Sequence, residues 1–135
     1  MANQSLFPDT LFHSAKFDYA QVVVGRSSNT IYIAGQTAWN KEMKMPGGTD
    51  VPAQLRQALS NVRLALAAAG ATPSDLVQLR THIVGYSPAL LPVIGPILHD
   101  FLDPAHLPAS LLLGVQSLAL PELLVEVDAV AVIAQ

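Results

Sequence analysis

The hydrophobic positions along the chain repeat with two different periods, which separate predicted strands from predicted helices. Two β-branched runs, residues 19–24 and 30–34, are divided by turn residues and closed by Gly25 and Gly35, so they predict a β-hairpin. Residues 11–17 mix polar and aromatic positions, and we expect one short strand there. Segment 40–48 is polar and contains two glycines, which predicts a loop.

The clearest helix is predicted to begin after Thr49 or Asp50, either of which can act as its N-cap. Pro52 falls in the first turn, where its missing N–H is tolerated. Gln54 is expected to lie off the apolar face, and Gly70 is a natural stop. The apolar face itself is formed by residues at helical spacing: Leu55, Leu59, Val62 and Leu66.

The second half of the chain predicts a strand, a helix and two closing strands. The strand at 76–84 alternates, with one face formed by Val77, Leu79, Thr81 and Ile83. Residues 88–102 have helical spacing, but Pro92 and Pro96 imply a late start or a kink. Strands at about 109–115 and 123–132 follow. The order ββαβαββ predicts an α+β fold with a mixed sheet and two helices on one of its faces.

Composition narrows the class of protein further. We expect residues 1–135 to form one domain, and 51% hydrophobic with only 13% charged residues predicts that part of the surface is hidden in an oligomer. The net charge of −3 and the lack of a basic stripe argue against nucleic-acid binding. Without cysteine, disulfides and thiolate chemistry are excluded. No signal peptide or membrane span is evident, so a cytoplasmic protein with no membrane partner is expected.

Two carboxylates in the last strand are the best candidates for chemistry. Glu126 and Asp128 lie two residues apart, so their side chains project from the same face of a strand. Like charges and partial burial raise the pKa of one carboxyl group, which can then hold a water or move a proton. Taken alone, the pattern also describes the polar half of a solvent-exposed strand, and the residues themselves favour that interpretation. The four histidines show no metal-binding spacing, so no metal is predicted.

Three ordered segments resemble the Rid family of reactive-intermediate (enamine/imine) deaminases, also called YjgF-like and, under an older label, L-PSP endoribonucleases. The first is IYIAGQT (31–37), similar to the family's strand that ends in Ser/Ala-Gly-Gln. The second is QALSN (57–61) followed by AAAGA (67–71), similar to its Q-A-L-x-N helix and A-A-G-A ending. The third is Pro108-Ala109 with VEVDAVA (125–131), similar to its P-A-R…I-E-I-E-A-I-A close.

The resemblance implies a chorismate-mutase-like homotrimer with small-molecule clefts between subunits and no cofactor. The family's substrate-gripping arginine falls at Ser110, and the glutamate that positions the hydrolytic water falls at Glu126. A cleft tyrosine falls at Tyr19, and Gly35 and Asp128 complete the expected substrate-binding set. Serine cannot supply the bidentate, permanently charged grip of a guanidinium. The resemblance therefore favours a substrate less anionic than a 2-imino acid.

Three functions are open at this stage. The first is hydrolysis of a small enamine, imine or related C–N metabolite at an intersubunit cleft. The second is a non-catalytic, metabolite-binding or regulatory trimer. The third, carried only by the older family label, is an endoribonuclease or translation inhibitor. Whether Arg26 or Arg80 of a neighbouring subunit replaces the missing arginine is equally open.

Overall fold

The computed structural model describes residues 3–17, 19–25 and 27–134, which form a six-stranded mixed sheet and two α-helices. In chain order the elements are β1 (Gln4–Leu6), β2 (Val22–Gly25), β3 (Thr30–Gln36), α1 (Val51–Ala68), β4 (Leu76–Val84), α2 (Leu91–Phe101), β5 (Ala109–Val115) and β6 (Val125–Val132). The strand order is β1-β2-β3-β6-β4-β5, and only the β4–β5 pair is parallel. The predicted α+β class, with its mixed sheet, is confirmed.

Both helices begin and end where their local chemistry predicts. Asp50 is the N-cap of α1, and its side chain accepts a hydrogen bond of 2.9 Å from the backbone N–H of Ala53. Gly70 follows the helix with a φ of +78°, a conformation that glycine adopts without strain. α2 starts late, after a 3-10 turn at Pro88–Leu90, and Pro96 lies inside it. No helix in the described part of the chain is long and apolar enough to cross a membrane.

The helices cover one face of the sheet and leave the other open. Alternate residues of β6 point into the core, and all four are at most 2% exposed: Val125, Val127, Ala129 and Ala131. The residues between them face away from the helices, and these include Glu126 and Asp128. Burial of one side of each strand accounts for the alternating pattern that the sequence shows.

Four strand predictions are wrong in position. β3 runs on to Gln36, past its predicted end at residue 34. Residues 11–17 form no strand: Leu11 and Phe12 are buried in a loop, and a 3-10 turn at Ala15–Phe17 follows. β2 begins at Val22 and not at residue 19, because the chain before it is folded locally by the Ser14 hydroxyl, which donates a hydrogen bond of 2.7 Å to the Tyr19 carbonyl. β6 begins at Val125 and not at residue 123.

The predicted orientation of Val77 is also wrong. The pairs Leu76–Ala131 and Gln78–Val130 span two steps along β4 but one along β6, so β4 contains one extra residue there. Such a bulge leaves a residue unpaired and turns its side chain. Val77 is accordingly 45% exposed, while Leu79 beyond the bulge is buried as predicted.

Gln54 was expected off the apolar face of α1, yet it is buried there. Its Nε2 donates to the carbonyls of Gly48 (3.0 Å) and Glu122 (2.8 Å), and its Oε1 accepts from the N–H of Leu124 (2.8 Å). One amide thus ties the helix to two separate loops. Helical spacing alone does not reveal it, because the partners are backbone groups distant in sequence.

Replacing Gln54 by leucine should destabilise the protein by about 3 kcal/mol, because buried backbone groups would lose their partners. The measurement is urea unfolding of Gln54→Leu against the wild type. Gln78→Leu, the same substitution at an exposed position, is the matched control and should change the free energy of unfolding little. Equal effects of the two substitutions would show that the Gln54 hydrogen bonds contribute nothing.

Candidate functional site

Glu126 lies at the centre of the candidate site, on the open face of the sheet. The residue is half-buried, and it pairs with His82 of the neighbouring strand β4. Burial is the main cause that raises the pKa of Glu126 above its ordinary value, and the negative charge of Asp128 adds to it. His82 acts in the opposite direction and lowers the pKa of Glu126. The carboxyl group is therefore tuned toward accepting a proton.

Gly35 lies directly against the Glu126 side chain. The pairs Ile33–Ala129 and Gln36–Val127 span three steps along β3 but two along β6, so a bulge occurs at this point. A Cβ atom at position 35 would lie 2.8 Å from Cδ and 3.0 Å from Oε2 of Glu126. Glycine is what allows the carboxylate to approach the backbone this closely.

Tyr19 is the third residue brought to this place. The negative charge of Glu126 raises the pKa of the Tyr19 hydroxyl, although burial is the larger cause. Tyr19 also lines a cavity of about 320 Å³ together with Phe17, Trp39, Ala119 and Leu120. Tyr19 therefore relates the carboxylate to the cavity. Gly35 and Glu126, both predicted from the sequence, lie in contact, and Tyr19 lies within range of the Glu126 charge.

Asp128 is engaged elsewhere on the same face. Its Oδ1 accepts a hydrogen bond of 2.7 Å from Nε of Arg80, which lies on the neighbouring strand β4. The two residues are directly paired in the sheet, so the contact follows from the strand register. Within one chain, Arg80 thus holds Asp128. Arg26, the other arginine considered from the sequence, lies outside the described residues.

His82 is oriented by the backbone of β6. Its Nδ1 lies 3.2 Å from the carbonyl oxygen of Glu126. A carbonyl can only accept, so Nδ1 carries the hydrogen and Nε2 is left without one in the neutral ring. The imidazole is thereby held beside the carboxylate whose pKa it lowers.

Replacing His82 by glutamine should raise the pKa of Glu126 further, because a group that favours its charged form is removed. The carboxyl carbon of Glu126, followed by NMR, should then titrate at a higher pH than in the wild type. His99→Gln removes an exposed histidine of α2 and should leave that titration unchanged. A shift to lower pH in His82→Gln would contradict the assigned influence of His82.

Comparison with known proteins decides the family. The sequence profile described as endoribonuclease L-PSP matches residues 12–133. A Rid-family protein of unknown function from Yersinia pestis, YyfB, is 42% identical; the alignment covers 98% of this chain and 100% of that one, with a TM-score of 0.71. This chain belongs to the Rid family. RidA from the Antarctic bacterium Psychrobacter sp. is 25% identical over 96% of this chain and 99% of its own, with a TM-score of 0.81.

Other Rid-family structures confirm the fold. YyfA of Yersinia pestis is 22% identical, with 98% of this chain and 100% of that chain covered, and has a TM-score of 0.84. A search among curated proteins finds no match. Within the described residues no group of three histidine, aspartate or glutamate side chains could hold a metal ion.

Ser110, the position at which the sequence resemblance predicts the family's arginine, is not part of the cluster within one chain. It is paired in β5 with Leu79, whose side chain faces the helices and is 1% exposed. Glu126 is paired with His82 and faces the opposite side of the sheet. Residues directly paired across strands share a face. Ser110 is exposed, so only a neighbouring subunit could bring a second copy of it to Glu126.

Phe17 and Trp39, the other aromatic side chains of the cavity, are functional candidates that sequence reasoning missed in this Rid-family chain. Trp39 is held there by Asn61, whose Nδ2 donates to the carbonyls of Thr37 (3.0 Å) and Trp39 (2.7 Å). Asn61 is the asparagine of the QALSN segment, and these two hydrogen bonds explain its presence there. The isolated tryptophan in a polar stretch was the only available signal.

Proposed function

We propose that the protein hydrolyses a small enamine, imine or related C–N metabolite, with Glu126 positioning and activating the water. One observation carries the proposal. The Glu126 carboxyl group is half-buried, has a raised pKa, lies against Gly35, and exerts its charge on Tyr19, which lines a cavity. A general base works best when its pKa approaches the operating pH, and burial moves Glu126 in that direction.

The reaction needs only water and one proton carrier. Glu126 accepts a proton from water as the oxygen attacks the imine carbon, which forms a carbinolamine. The carboxyl group returns that proton to nitrogen, and the carboxylate then takes the hydroxyl proton of the carbinolamine and passes it to nitrogen as the C–N bond breaks, so the products are a carbonyl compound and ammonia. Tyr19 supplies a hydroxyl that orients the substrate. An enamine enters the same sequence after tautomerising to its imine.

The residues present favour a substrate without a carboxylate. Ser110 offers one hydrogen bond where a guanidinium would give a bidentate ionic grip. Arg80 is already paired with Asp128 at 2.7 Å. Deamination of 2-imino acids is therefore expected to be slow compared with hydrolysis of imines that lack a carboxylate.

A homotrimer with clefts between subunits is part of the proposal. The open face and edge of the sheet expose several large apolar side chains: Tyr32, Leu111, Leu113 and Val132. Several large exposed apolar side chains on one side of a sheet are typical of interfaces. Assembly would also give each Glu126 access to residues of a neighbouring chain. Sedimentation equilibrium should give about three times the mass of one chain, and the mass of a single chain would refute this part.

The test is the release of carbonyl product from imines generated in place. A flavin amine oxidase acting on a primary amine supplies imines without a carboxylate, and a dehydratase acting on serine supplies 2-aminoacrylate. We expect the protein to accelerate hydrolysis of the former and to affect the latter little. Acceleration of neither would overturn the enzymatic proposal. The alternative, a non-catalytic binding trimer, is favoured by the predominantly apolar described walls of the cavity and would then be tested by ligand binding alone.

A further inference from the structure

The cavity that Tyr19 lines is built from aromatic and aliphatic side chains. Its described walls are Phe17, Tyr19, Trp39, Ala119 and Leu120, around a volume of about 320 Å³. This is the lower end of the range found for small-molecule sites, which span about 300–1,000 Å³. A methyl-sized substituent would occupy very little of such a cavity, whereas a phenyl ring or a branched chain is readily accommodated, because a cavity of about 150 Å³ already holds benzene.

The aromatic walls are held in place by a shared neighbour. The ring of Phe12, which is 8% exposed, lies edge-on to Trp39 at 5.5 Å, to Phe17 at 6.1 Å and to Tyr19 at 6.5 Å between centroids. Asn61 fixes the backbone that carries Trp39. Edge-to-face contacts of this kind stabilise a defined arrangement of rings. The cavity is therefore preformed in the folded chain.

The charge around the cavity distinguishes between two classes of ligand that aromatic walls can bind. Aromatic faces attract cations as well as flat apolar groups. However, the ammonium of Lys16 already lies 5.3 Å from the centroid of the Phe17 ring. A second cation placed there would be repelled by Lys16. An anion would lose its hydration against the apolar walls without gaining hydrogen bonds, so the cavity favours an uncharged group.

We propose that the substrate carries an uncharged aromatic or branched aliphatic substituent, which binds between Trp39, Phe17 and Leu120 while its C=N carbon lies at Glu126 beside Tyr19. The inference rests on the proposed function and extends it by naming the part of the substrate that confers specificity. Tyr19 joins the two halves of the site, because it lines the cavity and also lies near the Glu126 carboxylate.

Binding can be tested independently of catalysis. Trp39 is the only tryptophan in the sequence, so its fluorescence reports directly on the cavity. Benzamide, which is planar and uncharged, should change the Trp39 emission and bind at least about tenfold more tightly than acetamide, as expected for burial of a ring. Equal affinities would overturn the proposal. Tighter binding of benzyltrimethylammonium than of benzamide would also overturn it, in favour of a cation site.

Catalytic specificity is tested with imines made by an amine oxidase from benzylamine and from ethylamine. The wild type should show a kcat/KM at least about tenfold higher for the aryl imine. Leu120→Trp, which narrows the cavity without deleting a wall, should lower kcat/KM for the aryl imine more than for the small imine and so remove the preference. Leu107→Ala, at a side chain that is 67% exposed, is the control and should retain the preference.

The outcomes separate the two proposals. Equal rates for both imines in the wild type would overturn the specificity inference and leave the hydrolytic function standing. Benzamide binding that calorimetry shows to be lost in Leu120→Trp, which carries a second tryptophan, would, with no imine hydrolysed, overturn the hydrolytic function and still support the class of group that the cavity binds. Circular dichroism of Leu120→Trp ensures that lost binding reflects a narrowed cavity in a folded protein.

Discussion

Replacing Glu126 by glutamine should lower the rate of imine hydrolysis by about 10²- to 10⁴-fold, which is the usual contribution of a general acid–base group. Glutamine keeps the size of the side chain but can neither accept a proton from water nor return one to the leaving nitrogen. The loss should appear in kcat, because the substituent-binding cavity is unchanged. Steady-state kinetics with an aryl imine measures it.

The control for this substitution is Glu42→Gln. Glu42 is an exposed residue of the loop between β3 and α1, and the chemical change is the same. Its kcat should equal that of the wild type. Full activity of Glu126→Gln in a folded protein would show that the water is activated by another group.

The stability of the same variant should change in the opposite direction to its activity. The pKa of Glu126 is raised in the folded protein, so the folded state holds its proton more tightly than the unfolded state. The wild type therefore loses stability as the pH rises from the ordinary glutamate pKa through the raised one. Glutamine has no charge to bury, so Glu126→Gln should be more stable than the wild type at neutral pH. Urea unfolding at pH 4 and pH 8 should show the difference growing with pH.

A catalytic residue that lowers the stability of the folded protein is what the trade-off between stability and activity predicts. A merely structural carboxylate, by contrast, would be expected to stabilise the fold through its contacts. If Glu126→Gln were both inactive and strongly destabilised, its loss of activity would carry no information about chemistry. Measuring how kcat and the free energy of unfolding of Glu126→Gln each depend on pH distinguishes a catalytic from a structural role.

Much of the fold could be predicted from periodicity, because one face of each main element is buried. The bounds of β4, β5 and the Asp50 cap of α1 agree with the sequence expectations. What could not be predicted depends on long-range pairing. The bulge at Val77 arises from the register between β4 and β6, which lie about 50 residues apart in the chain. Local spacing contains no information about that register.

The candidate site likewise combines features that the sequence predicts with features that depend on long-range contacts. The residues alone favoured a solvated strand face for Glu126 and Asp128, and the family resemblance singled out Glu126. The structure separates the two acids physically, since Glu126 lies against Gly35 while Asp128 is bound by Arg80. From the local sequence alone, Gly35 is predicted only to end a strand, because no neighbouring residue indicates which side chain approaches it in the fold. Burial, and not Asp128, turned out to be the main cause of the raised pKa of Glu126.

Replacing Gly35 by alanine should remove most of the activity while leaving the fold intact. The new Cβ would lie 2.8 Å from Cδ of Glu126, closer than packed atoms can approach, so the carboxyl group must move. The atoms in the way belong to the end of a flexible side chain, and Gly35 has no positive φ that would strain alanine. The displacement should therefore cost little folding free energy, whereas misplacing a catalytic group by about 1 Å can cost about 10²-fold in rate.

The matched control is Gly95→Ala, where an added Cβ would meet nothing within 4 Å. Because Gly95 lies inside α2, alanine there should stabilise the protein by up to about 1 kcal/mol and leave activity unchanged. Thermal unfolding and kcat/KM, measured on both variants, make the comparison. A Gly35→Ala protein that is folded and fully active would show that catalysis does not depend on holding Glu126 against the β3 backbone. An inactive but stable one would place the chemistry at this contact, because no other residue of the site has been altered.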